Sequence, residues 1–189
     1  DILCFSHDWT GDPLTKTHLM RVLAKDNRIL WINAIANRMP TTSSKDMSRI
    51  VNKLKAFAEP VREVEPNIFV LNPLAFPSYG NTSILKINQS FLARQVKKAM
   101  RDLKFSNVVN MVFNPAAGMI AGRLGESELI YYCVDEYTAF TGASNGLKEI
   151  EDALFKQADL VVVSAENLLD KKTHFNPNTH LIRHGTDWR

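Results

Sequence analysis

Ala158-Asp159-Leu160-Val161-Val162-Val163-Ser164 is a short β-type apolar run set between two longer amphipathic ones, roughly Leu147–Gln157 before it and Ala165–Thr173 after it. That alternation marks a parallel sheet covered by helices on both faces. Further runs of the same type lie at Ile2–Phe5, Ile29–Asn33, Ile68–Asn72, Val108–Phe113, Leu129–Cys133 and His180–Arg183, making about seven strands in all. The other intervening helices are expected at Leu14–Lys25, Lys45–Ala58, Ile84–Lys104 and Ala116–Leu124. Their punctuation agrees: Pro13 suits a first turn, Ser44 and Thr82-Ser83 suit N-caps, and Glu59-Pro60 and Asn176-Pro177 suit stops. The fold expected is α/β, a Rossmann-like doubly wound parallel sheet whose leading strands run 3-2-1-4-5.

Composition fits one compact domain over residues 1–189: 45% of residues are apolar and 23% charged. No apolar run approaches the roughly 20 residues of a membrane span. Asp1-Ile2-Leu3-Cys4-Phe5 has neither an initiator Met nor a signal-peptide pattern, so it reads as a first strand with a few residues expected upstream. Cys4 and Cys133 sit inside strand-like runs, which suits buried thiols in a reducing cytoplasm. Charge is uneven. Residues 1–113 carry 16 Lys/Arg against 9 Asp/Glu, a net +7, and residues 114–189 carry 7 against 11, a net −4. A basic first half implies an anionic neighbour.

Ligands of open α/β sheets bind beyond the carboxyl ends of the strands. Here those positions are polar: Ser6-His7-Asp8-Trp9, Asn33, Asn72-Pro73, Asn114-Pro115, Asp135-Glu136, Ser164 and His184-Gly185. Each also has a plain structural reading, because Asn and Ser at strand ends cap turns and helices. A nicotinamide- or flavin-dependent oxidoreductase would place G-x-G-x-x-G after the first strand. The chain has Ser6-His7-Asp8-Trp9-Thr10-Gly11-Asp12-Pro13 there, one glycine and two carboxylates that repel a pyrophosphate. No P-loop pattern is present. A non-catalytic ligand-binding module of the receiver type needs acids across three strand ends, and the third strand ends in Asn72.

The compound pattern of Ala158-Asp159-Leu160-Val161-Val162-Val163-Ser164, Leu168-Leu169 and Leu181-Ile182-Arg183-His184-Gly185-Thr186-Asp187 resembles the end of the N-terminal domain of GT-B glycosyltransferases. There an A-D-x-V-x-x-S strand precedes a helix, and a later strand ends in [NH]-G-x-D where the chain crosses to the second domain. The glycine suits that sharp turn. Two further segments are similar to the bacterial enzymes of teichuronic-acid and exopolysaccharide assembly. They are Ser6-His7-Asp8-Trp9 through Pro13-Leu14 and His18-Leu19, and Ile130-Tyr131-Tyr132-Cys133-Val134-Asp135-Glu136-Tyr137.

The resemblance implies the N-terminal, acceptor-side half of a GT-B architecture, with the sugar-nucleotide-binding domain absent from this chain. The implied activity is transfer of a sugar from a sugar nucleotide to a polysaccharide or lipid-linked acceptor, and turnover by the fragment alone is not expected. An inverting reaction needs a general base in the crevice. Asp135 leads as that base, with Glu136 beside it and His7 and Asp8 as other candidates; Ser6, Trp9, Gly11, Asn114, Ser164, His184 and Gly185 line the crevice. Gly11 either admits donor phosphates or serves its own turn. No cofactor, no metal and no nucleic-acid partner is expected. The helix at 45–58 aligns Met47, Ile50, Val51, Leu54 and Phe57 beside Lys45, Arg49 and Lys53. That stripe either packs on the sheet or lies on an anionic membrane, which would make the protein cytoplasmic and peripheral on the inner leaflet.

Overall fold

The computed structural model describes residues 1–34, 61–75, 82–137 and 145–185. Among them eight strands form one sheet: β1 (Ile2–Phe5), β2 (Ile29–Ile32), β3 (Arg62–Glu65), β4 (Ile68–Leu71), β5 (Val109–Val112), β6 (Glu128–Cys133), β7 (Leu160–Val163) and β8 (Thr179–Leu181). The helices are α1 (Thr15–Leu23), α2 (Thr82–Asp102), α3 (Asn145–Gln157) and α4 (Glu166–Lys172). The fold is the Rossmann-like α/β architecture that the alternation predicts.

All seven expected strands are present and pair in parallel, in the order β4-β2-β1-β5-β6-β7-β8. In the numbering of the sequence reading this is 3-2-1-4-5-6-7. The correction is the eighth strand. β3 adds to the outer edge and runs antiparallel to β4. The hairpin turns on Pro66-Asn67, with Asn67 at φ 64°, a left-handed conformation that Asn tolerates. Arg62-Glu63-Val64-Glu65 is charged, so it lacks the apolar run by which the other strands were found. A strand with one solvated edge has no need of such a run.

A second correction concerns Ala116–Leu124. A short 3-10 turn, Pro115–Met119, stands in place of the expected helix. Gly122 at φ 73° and Gly125 at φ 83° break the helical path beyond it. The Glu126 carboxylate accepts the amides of Gly122 at 2.6 Å and Leu124 at 2.8 Å. The helix expected at 45–58, with its apolar stripe and lysines, lies outside the described residues.

Alternating strand residues feed two apolar layers. Leu3, Phe5, Leu30, Ile32, Val112 and Tyr131 pack under α2, α3 and α4, and Ile2, Cys4, Ile29 and Trp31 pack with Met20 and Ala24 of α1. This division follows from handedness. From β1 the sheet grows one way through α1 to β2 and the other way from α2 onward, and right-handed crossovers place those helices on opposite faces. The order reverses between β1 and β5, which opens a crevice at their carboxyl ends.

Candidate functional site at the switch point

The residues leaving β1 are held from below. Ser6 is buried, its amide donates to Ile32 O at 3.1 Å, and its Oγ lies 3.1 Å from His7 Nδ1. Trp31 anchors the next turn by donating Nε1–H to His7 O at 2.9 Å, and the His7 ring stands edge-on to it at 5.2 Å. His7 Nε2 is buried and makes no hydrogen bond. Burial pushes the His7 pKa down, Lys16 adds to that, and the Asp12 backbone and Asp8 oppose it.

Asp8 and Trp9 serve the loop itself. Asp8 is exposed, its Oδ1 accepts Ala34 N–H at 3.1 Å, and its carbonyl accepts Gly11 N–H at 3.0 Å. A Cβ on Gly11 would meet that carbonyl at 3.1 Å, so glycine here serves a close turn. Trp9 donates its amide to Asn33 Oδ1 at 2.8 Å, packs edge-on to Trp31 at 5.0 Å and lies under the Arg21 guanidinium at 5.5 Å.

At β5, buried Asn114 accepts Ala116 N–H at 3.0 Å and caps the 3-10 turn. At β7, buried Ser164 donates Oγ–H to Val134 O at 2.9 Å. His184 and Gly185 are exposed beyond β8, and open space surrounds the Cβ position of Gly185. Thr186 and Asp187 of the same motif lie outside the described residues.

The loop after β6 carries both acids. Asp135 is exposed, and among the described residues its carboxylate makes no hydrogen bond or ion pair. Its carbonyl accepts from Tyr137 N–H at 3.1 Å and Cys133 Sγ at 3.3 Å. Glu136 faces away toward α4: its Oε1 is 2.6 Å from Lys172 Nζ and its Oε2 3.6 Å from Lys171 Nζ. Lys172 is only 6% exposed and lies over the rings of Phe155 at 5.2 Å and Phe175 at 6.0 Å. Burial acts to lower its pKa, but the Glu136 hydrogen bond and the charges of Glu151 and Glu136 outweigh this and raise it. Beneath the loop, Tyr131 donates Oη–H to buried Glu151 at 2.5 Å, and burial raises the Glu151 pKa. Burial also pushes the Cys133 thiol up to about 12, and both cysteines are buried and free.

One residue of the crevice escaped the sequence reading. Lys16, in the first turn of α1, is half-buried and among the described residues makes no hydrogen bond or ion pair. Burial lowers its pKa, with Cys4 and Asp135 acting against that shift. Its charge thus acts on His7 and is felt with those of Cys4 on β1 and Asp135. The signal was in the sequence: a lysine opening a helix opposes the helix dipole, and no acid in that turn compensates.

Among the described residues no group of three or more His, Cys, Asp or Glu could hold a metal ion, and no helix is long and apolar enough to cross a membrane. No protein-family model and no curated protein sequence matches this chain. Among solved structures it is similar to a sucrose-phosphate synthase from Thermosynechococcus elongatus. The TM-score is 0.56 at 14% identity, over 99% of this chain and 90% of that one. The likeness is one of fold, and it covers nearly the whole chain.

Proposed function

We propose that this chain is the acceptor-side domain of a GT-B-type glycosyltransferase, and that Asp135 is the general base of the transfer. One observation carries the reading: among the described residues Asp135 has a carboxylate without a hydrogen bond or ion pair, at the end of the strand beside the switch point, where the other strand-end groups are largely committed to the fold. The fold likeness to a sucrose-phosphate synthase and the motif order support the class.

The chemistry follows from the charges. As the acceptor oxygen attacks the anomeric carbon in an inverting transfer, Asp135 takes the hydroxyl proton and the bond to the nucleoside diphosphate breaks. Lys16 adds a positive charge at this end of the sheet, and burial drives His7 toward neutrality. In this reading the sugar nucleotide is held mainly by a second domain, and the acceptor is a polysaccharide or lipid-linked sugar. An anionic membrane surface then faces the basic first half of the chain. The two carboxylates of the first loop, Asp8 and Asp12, speak against the alternative of a dinucleotide-dependent oxidoreductase.

Asp135→Asn in the full-length protein tests the assignment. We expect the transfer rate to fall by about 10²–10⁴-fold, the usual cost of losing a general base, with the fold intact by circular dichroism. A fall of less than about tenfold, with His7→Ala abolishing transfer, would move the role to His7.

A further inference from the structure

Residues 134–137, which follow β6, are tied to the fold through several main-chain and side-chain contacts, while among the described residues the Asp135 carboxylate makes no hydrogen bond or ion pair. Ser164 binds the Val134 carbonyl at 2.9 Å, Cys133 and the Tyr137 amide bind the Asp135 carbonyl, and Tyr137 donates Oη–H to Phe113 O, just after β5, at 3.0 Å. A further tie is charged. It runs from Glu136 to Lys172, whose ammonium is nearly buried between Phe155 of α3 and Phe175 beyond α4. Lysine is seldom buried unless it is paired, so the Glu136 carboxylate is held where the ammonium is. The neighbouring residue is thereby fixed in direction.

We infer that Lys172 is a positioning residue, which through Glu136 holds the loop so that Asp135 points into the crevice. The inference rests on the reading of Asp135 as the base. It gives Glu136 a role other than proton transfer: its carboxylate aims its neighbour. Glu151 is the other acid whose charge acts on Lys172, and it accepts Oη–H from Tyr131. Removing the ammonium takes away the nearer, buried cation of Glu136 and leaves the more exposed Lys171 at 3.6 Å, which loosens the aim of Asp135, whereas removing the Glu136 charge loosens the same tie but leaves Lys172 beside Glu151. Placement errors of about 1 Å at a reacting group can cost on the order of 10²-fold in rate.

The test uses Glu136→Gln, Lys172→Met and the double variant in the full-length protein, with Asp135→Asn alongside. The expected result is a kcat about 10- to 100-fold lower in each single variant, with acceptor KM within about twofold. The double variant should be no slower than the worse single, because both changes cut the same tie. A variant that lost activity only through misfolding would instead lose active protein, and active-site titration separates the two. If Lys172→Met does not fold, Glu136→Gln decides by itself. Loss of transfer in Asp135→Asn with unchanged kcat in Glu136→Gln overturns this inference and leaves Asp135 standing. Near-normal transfer in Asp135→Asn overturns the base assignment, and this inference with it.

Discussion

His7 shows how a single side chain becomes chemically distinct through what the fold withholds from it. Its Nδ1 has Ser6 as a neighbour and its Nε2 has none, while burial and Lys16 both disfavour the imidazolium. The folded pKa thus lies below the ordinary 6.5. The sign follows: the folded state prefers neutral His7, so this contribution to stability is complete above about pH 6.5 and is lost as pH falls through the window beneath it. The His7 ring resonances should titrate with a midpoint below 6.5 by NMR. Urea unfolding at pH 7 and pH 5 should show a larger loss for the wild type than for His7→Gln. An equal loss would mean that His7 is free to protonate in the folded protein. The exposed Asp8 beside it was a further candidate on sequence grounds, and its carboxylate accepts the amide of Ala34.

At the level of elements, strand order was open to reading because each central strand is an apolar run that requires cover on both faces, as in Leu160–Val163. The antiparallel strand Arg62–Glu65 was hidden because its pairing depends on a neighbouring edge and not on its own hydrophobicity. The same limit applies to the candidate site. Asp135 and Glu136 are adjacent and alike in sequence, but a lysine 36 residues further on engages one of them. Ser164 and Asn114 were likewise visible as polar strand ends, while their partners at Val134 and Ala116 depend on the path of loops that carry little pattern.

The 3-10 turn offers a sharper test of packing. A Cβ on Gly118 would meet Ile150 Cγ2 at 3.0 Å, Ile150 O at 3.1 Å and Leu154 Cβ at 3.1 Å, all on α3. These are backbone and core atoms with little room to yield. Gly118→Ala should therefore destabilise the protein by about 1–3 kcal/mol through overpacking, measured by denaturant midpoint. An unchanged midpoint would show that α3 can retreat from the turn without cost.

For the molecule as a whole, the candidate site lies at one end of the sheet, because the crossovers place helices on opposite faces and leave the strand ends between β1 and β5 open. The opposite concern is the two sides of the sheet, where unpaired backbone groups could recruit a further strand from a second molecule. One side is β3, with Arg62 and Glu63 exposed and a register irregularity between Glu63 and Glu65; the other is β8, three residues long. Charge, distortion and shortness all oppose strand addition. Arg62→Val with Glu63→Val should therefore raise turbidity on mild heating well above that of the wild type, at unchanged helix content. Equal turbidity would show that the charges on β3 are not what guards that side. Among the described residues, the charged hairpin that the hydrophobic pattern passed over is thus built as a terminator of sheet growth, closing with charge a sheet whose two faces are largely apolar.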